Sequence, residues 1–151
     1  MQTLITLLIL FSTHTPSCRT TLNHIMPPHR PIDSILDAIR MQESGGNDRA
    51  VGDMGQAKGP YQIWRAYWRD GCERGEVLSD PRWQYNSAVW DRAKSRQVVI
   101  WYWRRYCPEA LRKGNWEVLA RVHNGGPAGN RNPKTMHYWK SVDKILKRHL
   151  R

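Results

Sequence analysis

The sequence predicts an α+β domain that is mostly helical, with one small β-hairpin. Three observations carry that prediction. Apolar residues recur at three- and four-residue spacing in several separate segments, the pattern of helices with one buried face. A glycine-rich stretch, "SGGNDRAVGDMGQAKGPYQI", interrupts them with turn residues and no sustained apolar run. The length, 151 residues, fits a single domain with a real core, and the chain shows no internal repeat or low-complexity tract.

The elements follow in order. Leu4 to Phe11 is a mostly apolar run, too short to span a bilayer. Thr15 and Ser17 have the spacing of a cleavage site before Cys18. Residues 1–17 therefore read as a signal peptide, which implies secretion. Residues 18–31 are proline-rich and read as an arm. Residues 32–151 are the domain. Ile32, Ile35, Leu36 and Ile39 share a helix face, with Asp33 in the first turn and Gly45–Gly46 as the stop. A hairpin follows, with Tyr61, Gln62 and Ile63 expected as its second arm. "WRAYW" reads as a short helix, and "GCERGEVLSDPRW" as a loop ending in the helix-start signal Asp80–Pro81. The longest helix is expected from Ser87 to Tyr106, burying Val89, Ala93, Gln97, Ile100 and Trp101. Pro108 and Gly114 bound a loop. Asn115 caps "WEVLARVHN", and Tyr138, Val142, Ile145 and Leu146 give a closing helix.

Composition narrows the partners. The formal charge is +11, and Trp occurs eight times against a single Phe. A charge of that size speaks to partners and not to fold. Anionic cell-wall polymers, anionic lipid and nucleic acid all fit, but no nucleic-acid-binding motif is present. The three cysteines, Cys18, Cys72 and Cys107, do not make a disulfide-dense framework. Cys72 and Cys107 can pair if the protein is exported. No Cys–His spacing suits zinc, so neither a metal nor another cofactor is expected.

The candidate chemistry lies in two carboxylates. Glu43 ends the first helix and Asp53 sits in the hairpin. Cleaving a glycosidic bond takes one protonated carboxyl and one carboxylate across a cleft. A helix C-terminus disfavours ionisation of a Glu placed there, and packing on an aromatic ring adds to that. Asp53, among the backbone N–H groups of a glycine-rich turn, is expected to stay ionised.

The motifs "ESGG", "GDMGQAKGPYQI", "AYWRDGC", "RVHNGGPAGN" and "HYWKSV" occur in the order and spacing of the invertebrate-type lysozymes, the family that includes the destabilases. Over residues 32–146 the chain resembles that family. The resemblance implies a lysozyme-like fold with the hairpin beside an active-site cleft. It places Glu43 on the family's catalytic Glu and Asp53 on its catalytic Asp. It also implies that the HNGGP loop lines the cleft, which makes His123 and Asn124 candidate substrate contacts. Tyr61 and Gln62 are candidates for the sugar groove, because sugar rings stack on aromatic faces.

The implied activity is hydrolysis of the β-1,4 bond between N-acetylmuramic acid and N-acetylglucosamine in peptidoglycan. A lytic transglycosylase shares part of the "ESGGN" pattern but uses no second carboxylate. A non-catalytic cationic, Trp-rich antibacterial or wall-binding protein is the reading from another class. Two departures from the family stand out. Gly46, Lys58 and Asn130 occupy positions where it commonly has Cys. Gln56 and Trp64 occupy those of the Ser and Lys assigned to the isopeptidase activity of some members, which is therefore expected to be absent.

Overall fold

The computed structural model describes residues 32–148. The signal peptide expected at 1–17 and the arm at 18–31 lie outside the described residues. Helix α1 (Ile32–Ser44) buries Ile35, Leu36, Ala38 and Ile39, the face its spacing predicts. It stops where expected, with Gly45 and Gly46 at φ +59° and +87°.

The hairpin pairs β1 (Val51–Gly52) with β2 (Ala57–Lys58) antiparallel, Val51 opposite Lys58 and Gly52 opposite Ala57. The second arm is thus earlier than the expected Tyr61–Ile63; of that stretch only Ile63 pairs, in one bridge to Lys58. The reason is Gly59. Its φ is +78°, and a Cβ there would lie 2.2 Å from the Val89 carbonyl oxygen. The chain turns inward at this close approach and carries Tyr61 into the core.

Helix α2 (Arg65–Arg74) runs further than "WRAYW" suggests. Gly71 does not break it: a Cβ there would lie 2.7 Å from Val98 Cγ1, so the bare glycine lets α2 lie tightly on the next long helix. The expected long helix is split. Helix α3 (Tyr85–Ala88) is a single turn, and α4 (Arg92–Tyr106) starts afresh where the Asp91 carboxylate accepts the Lys94 N–H at 3.0 Å. Its buried face is Ser95, Val98, Val99, Ile100, Tyr102 and Trp103, whereas Ala93 is exposed and Gln97 and Trp101 half-buried. Inside the loop expected between Pro108 and Gly114 lies α5 (Pro108–Lys113), started by its proline. Helix α6 (Trp116–Gly125) is capped by Asn115 as expected, and α7 (Thr135–Arg148) buries Val142 and Leu146.

Helix α2 packs on α4, while α1 and α6 both pack on α7. Seven of the eight tryptophans lie in or against this core; the exception is Trp64, which is 49% exposed. Trp103 is fully enclosed and donates its indole N–H to the Leu119 carbonyl at 3.0 Å. A fully enclosed ring of this kind removes well over 100 Å² of apolar surface from water, roughly 2–3 kcal/mol. Cys72 and Cys107 are free thiols, not the pair that export would allow. Burial pushes their pKa values up to about 11 and about 12. Among the described residues no helix is long and apolar enough to cross a membrane.

Candidate active site

Glu43 sits on the last turn of α1, with its side chain mostly enclosed. Tyr138, from α7, donates its hydroxyl to Glu43 Oε1 at 2.7 Å. Burial pushes the Glu43 pKa up to about 7; the Tyr138 hydrogen bond works against that, and the nearby negative charge of Asp53 adds to it. The direction is the one expected from sequence, but the leading cause is desolvation, and the aromatic neighbour opposes the rise because its O–H favours the carboxylate.

Asp53 is carried by the hairpin and lines the same cleft as Glu43. It opens the tight turn between β1 and β2, in the left-handed region at φ +47°, and Met54 follows at +52°. Two successive non-glycine residues there are held against a cost of order 1–3 kcal/mol each. Gln62 is one of the braces. Its amide donates to the carbonyls of Ala50 at 3.1 Å and Gly59 at 3.0 Å. A Cβ on Gly52 would meet Gln62 Oε1 at 2.3 Å, so glycine is needed for this brace to fit. Tyr85 is another, donating its hydroxyl to the Ile63 carbonyl at 2.8 Å. Asp53 itself is exposed, and Oδ2 accepts the indole N–H of Trp64 at 3.1 Å.

That cleft has a volume of about 620 Å³. Glu43, Asp53, Gln62, His123 and Asn124 all line it. Tyr61 does not. Its ring is 1% exposed inside the core, so it presents no face to a sugar, and its hydroxyl lacks a hydrogen-bond partner. Among the described residues no cluster of His, Cys, Asp or Glu suits a metal ion.

The model of the Destabilase family matches residues 33–145. The chain belongs to that family. It is 34% identical to a lysozyme of Magallana gigas over 56% of each chain, so the matched stretch spans little more than half of that relative. It is 36% identical to a lysozyme of Meretrix lusoria, over 73% of this chain and 86% of the relative. Among solved structures it is similar to the Tapes japonica lysozyme, with a TM-score of 0.61 at 31% identity, covering 74% of this chain and 88% of that one. The lysozyme-like fold expected from the motifs is therefore the fold found.

In this destabilase-family chain three further cleft residues escaped the sequence reading. Tyr67 packs flat on Tyr102, with ring centroids 3.6 Å apart, and its hydroxyl lies 3.0 Å from His123 Nδ1. Asp70 adds a third carboxylate, bonded by the Tyr106 hydroxyl at 2.8 Å. Trp64 is the third. Only "AYWRD" hinted at the first two, as part of a motif without a role. His123 is buried, and desolvation pushes its pKa down to about 4 against a hydrogen bond with the Tyr61 backbone that favours the charged form. Its Nε2 lies 3.7 Å from Glu43 Oε1, yet this is not an ion pair. Glu43 is charged above about pH 7 and His123 below about pH 4, so the two are not charged together.

Proposed function

We propose that this chain is a muramidase, hydrolysing the β-1,4 bond between N-acetylmuramic acid and N-acetylglucosamine in peptidoglycan. The supporting observation is an enclosed Glu43, with its pKa raised to about 7, sharing a cleft with an exposed Asp53. An acid with that pKa keeps about half its protons at neutral pH and can still release them, which suits general-acid catalysis. Glu43 donates its proton to the glycosidic oxygen. The Asp53 carboxylate attacks the anomeric carbon from the other face, forming a glycosyl-enzyme. Glu43, now ionised, takes a proton from the water that hydrolyses it. Two displacements retain the configuration. Gln62 serves this reaction by holding the hairpin, and His123 by lining the cleft as a neutral ring. Asn124, exposed beside His123, is the polar group available to a sugar substituent.

The charge of +11 draws the protein to anionic bacterial walls, and secretion would place it there. The test is clearance of a bacterial-wall suspension by wild type and by Glu43→Gln. Lysis should fall at least about a hundredfold in the variant. Near-normal lysis would reject the mechanism. The first product should be the β-anomer with a reducing end; an anhydro-sugar would identify a transglycosylase instead.

A further inference from the structure

Burial accounts for seven of the eight tryptophans and fails for Trp64. That ring is 49% exposed, it lines the cleft, and its N–H is bonded to Asp53 Oδ2 at 3.1 Å. Among the described residues the Asp53 carboxylate has no other hydrogen bond. The turn that carries Asp53 offers it little else. It is exposed throughout Asp53–Gln56, and Met54 at its tip is fully exposed. Side-chain rotation in such a place is fast and unrestrained by packing. Trp64, by contrast, stands on firm ground. Its carbonyl accepts the Trp68 N–H at 3.0 Å as α2 begins, and its neighbour Ile63 is buried and bridged to Lys58. A side chain rooted in a helix thus reaches across to an exposed carboxylate and fixes one of its two oxygens.

We infer that Trp64 is a positioning residue for Asp53 and that the open part of its ring is a stacking platform for a sugar unit of the substrate. This rests on the muramidase reading of the cleft. With Oδ2 held by the indole, Oδ1 is the oxygen left free to attack the anomeric carbon. A carboxylate held in one rotamer spends more of its time in an attacking geometry, and small misplacements cost rate steeply. Sugar rings present flat C–H faces, and an indole whose edge N–H is already bonded still offers them its face. The position directly after Gln62–Ile63, where the family resemblance puts a Lys, therefore carries a different task in this chain.

The experiment uses a soluble chromogenic chito-oligosaccharide with wild type, Trp64→Phe and Trp64→Ala, each also combined with Asp53→Asn. Thermal unfolding checks that the variants fold. Trp64→Phe keeps a ring and loses the N–H, so kcat should fall about tenfold with KM little changed, the scale of losing one hydrogen bond to a charged group. Trp64→Ala should lose the same in kcat and also raise KM several-fold. In the Asp53→Asn background Trp64→Phe should cost nothing further, because its effect runs through the carboxylate. Equal losses in both backgrounds, or an unchanged kcat, would overturn the positioning role. Chitotriose affinity measured on Glu43→Gln, with and without Trp64→Ala, tests the platform; equal affinities would remove it. A separate readout needs no turnover. Asp53→Asn should move one indole N–H resonance of the eight, that of Trp64, and a spectrum without such a shift means that the bond is not made in solution. Wild type that makes the bond but cleaves no wall or oligosaccharide would sink the muramidase reading and leave the contact standing.

Discussion

The two walls of the cleft hold their carboxylates by opposite means. Glu43 is embedded. Its hydroxyl partner Tyr138 lies 95 residues away in sequence, on a helix that packs against its own. Asp53 stands in water on a two-residue strand's turn, and its partner Trp64 is 11 residues away. The enclosed wall fixes a protonation state, because desolvation penalises the charged form. The open wall fixes a direction, because one N–H holds one oxygen. On the muramidase reading the core supplies the acid and the surface the nucleophile, and different parts of the fold carry the two.

The largest effect is expected on the open wall. Asp53→Asn keeps the shape and the reach to Trp64 but removes the negative charge that the proposed reaction brings to the anomeric carbon. Turnover should fall by at least about a hundredfold, the usual cost of removing a preorganised charge from a reaction centre. The fold should be unchanged by circular dichroism. A variant with more than a tenth of wild-type activity would show that Glu43 works alone.

A finer test moves the enclosed wall without dismantling it. The Tyr138 hydroxyl lowers the Glu43 pKa from what burial alone would set. Tyr138→Phe removes that donor and leaves the ring. Glu43 should then hold its proton to higher pH. The alkaline limb of the pH–rate profile, expected near 7 in wild type, should move upward, by roughly half a unit to one unit for a single hydrogen bond. A limb that stays put, or moves to lower pH, would separate Tyr138 from the acid.

The smallest effect is on stability. Glu43 ionises near 4.5 in an unfolded chain and near 7 in the fold. Its contribution is therefore intact below about pH 4.5 and is lost as pH rises through about 7. Glu43→Gln removes this loss. It should melt close to wild type at pH 4 and above it at pH 8, by about 1–3 kcal/mol in stability. Comparing the two proteins at each pH cancels His123, whose contribution runs the other way and fades as pH falls from 6.5 through about 4. Equal melting temperatures at pH 8 would mean that Glu43 is better solvated than its surroundings imply.

The same contrast explains what could be read from the sequence. Caps and stops are local, so Gly45–Gly46, Asp80–Pro81 and Asn115 mark their boundaries correctly. Motif order placed both carboxylates in one cleft, and glycine density marked the hairpin. What failed depends on contacts between distant segments. Gly71 reads as a breaker until Val98 lies against it. Tyr61 and Tyr138 look alike in sequence, but the turn at Gly59 sends the first into the core, and the packing of α7 on α1 brings the second to Glu43. Trp64 stands where the family resemblance puts a Lys and carries no titratable group. A hydrogen-bond donor needs none.

The unbonded thiols of Cys72 and Cys107 bear on how such a protein can be made and kept. Disulfide-bridged relatives must find their native pairings in an oxidising folding environment, and heat or a trace of thiol can scramble them. Nothing in the described domain has to be oxidised before it is complete. Its cohesion comes from an apolar core of Ile, Leu, Val, Tyr and Trp side chains, whose burial needs no oxidant. Synthesis inside a reducing bacterial cytosol should yield native protein directly, and a melted sample should regain its shape on cooling in the presence of reductant.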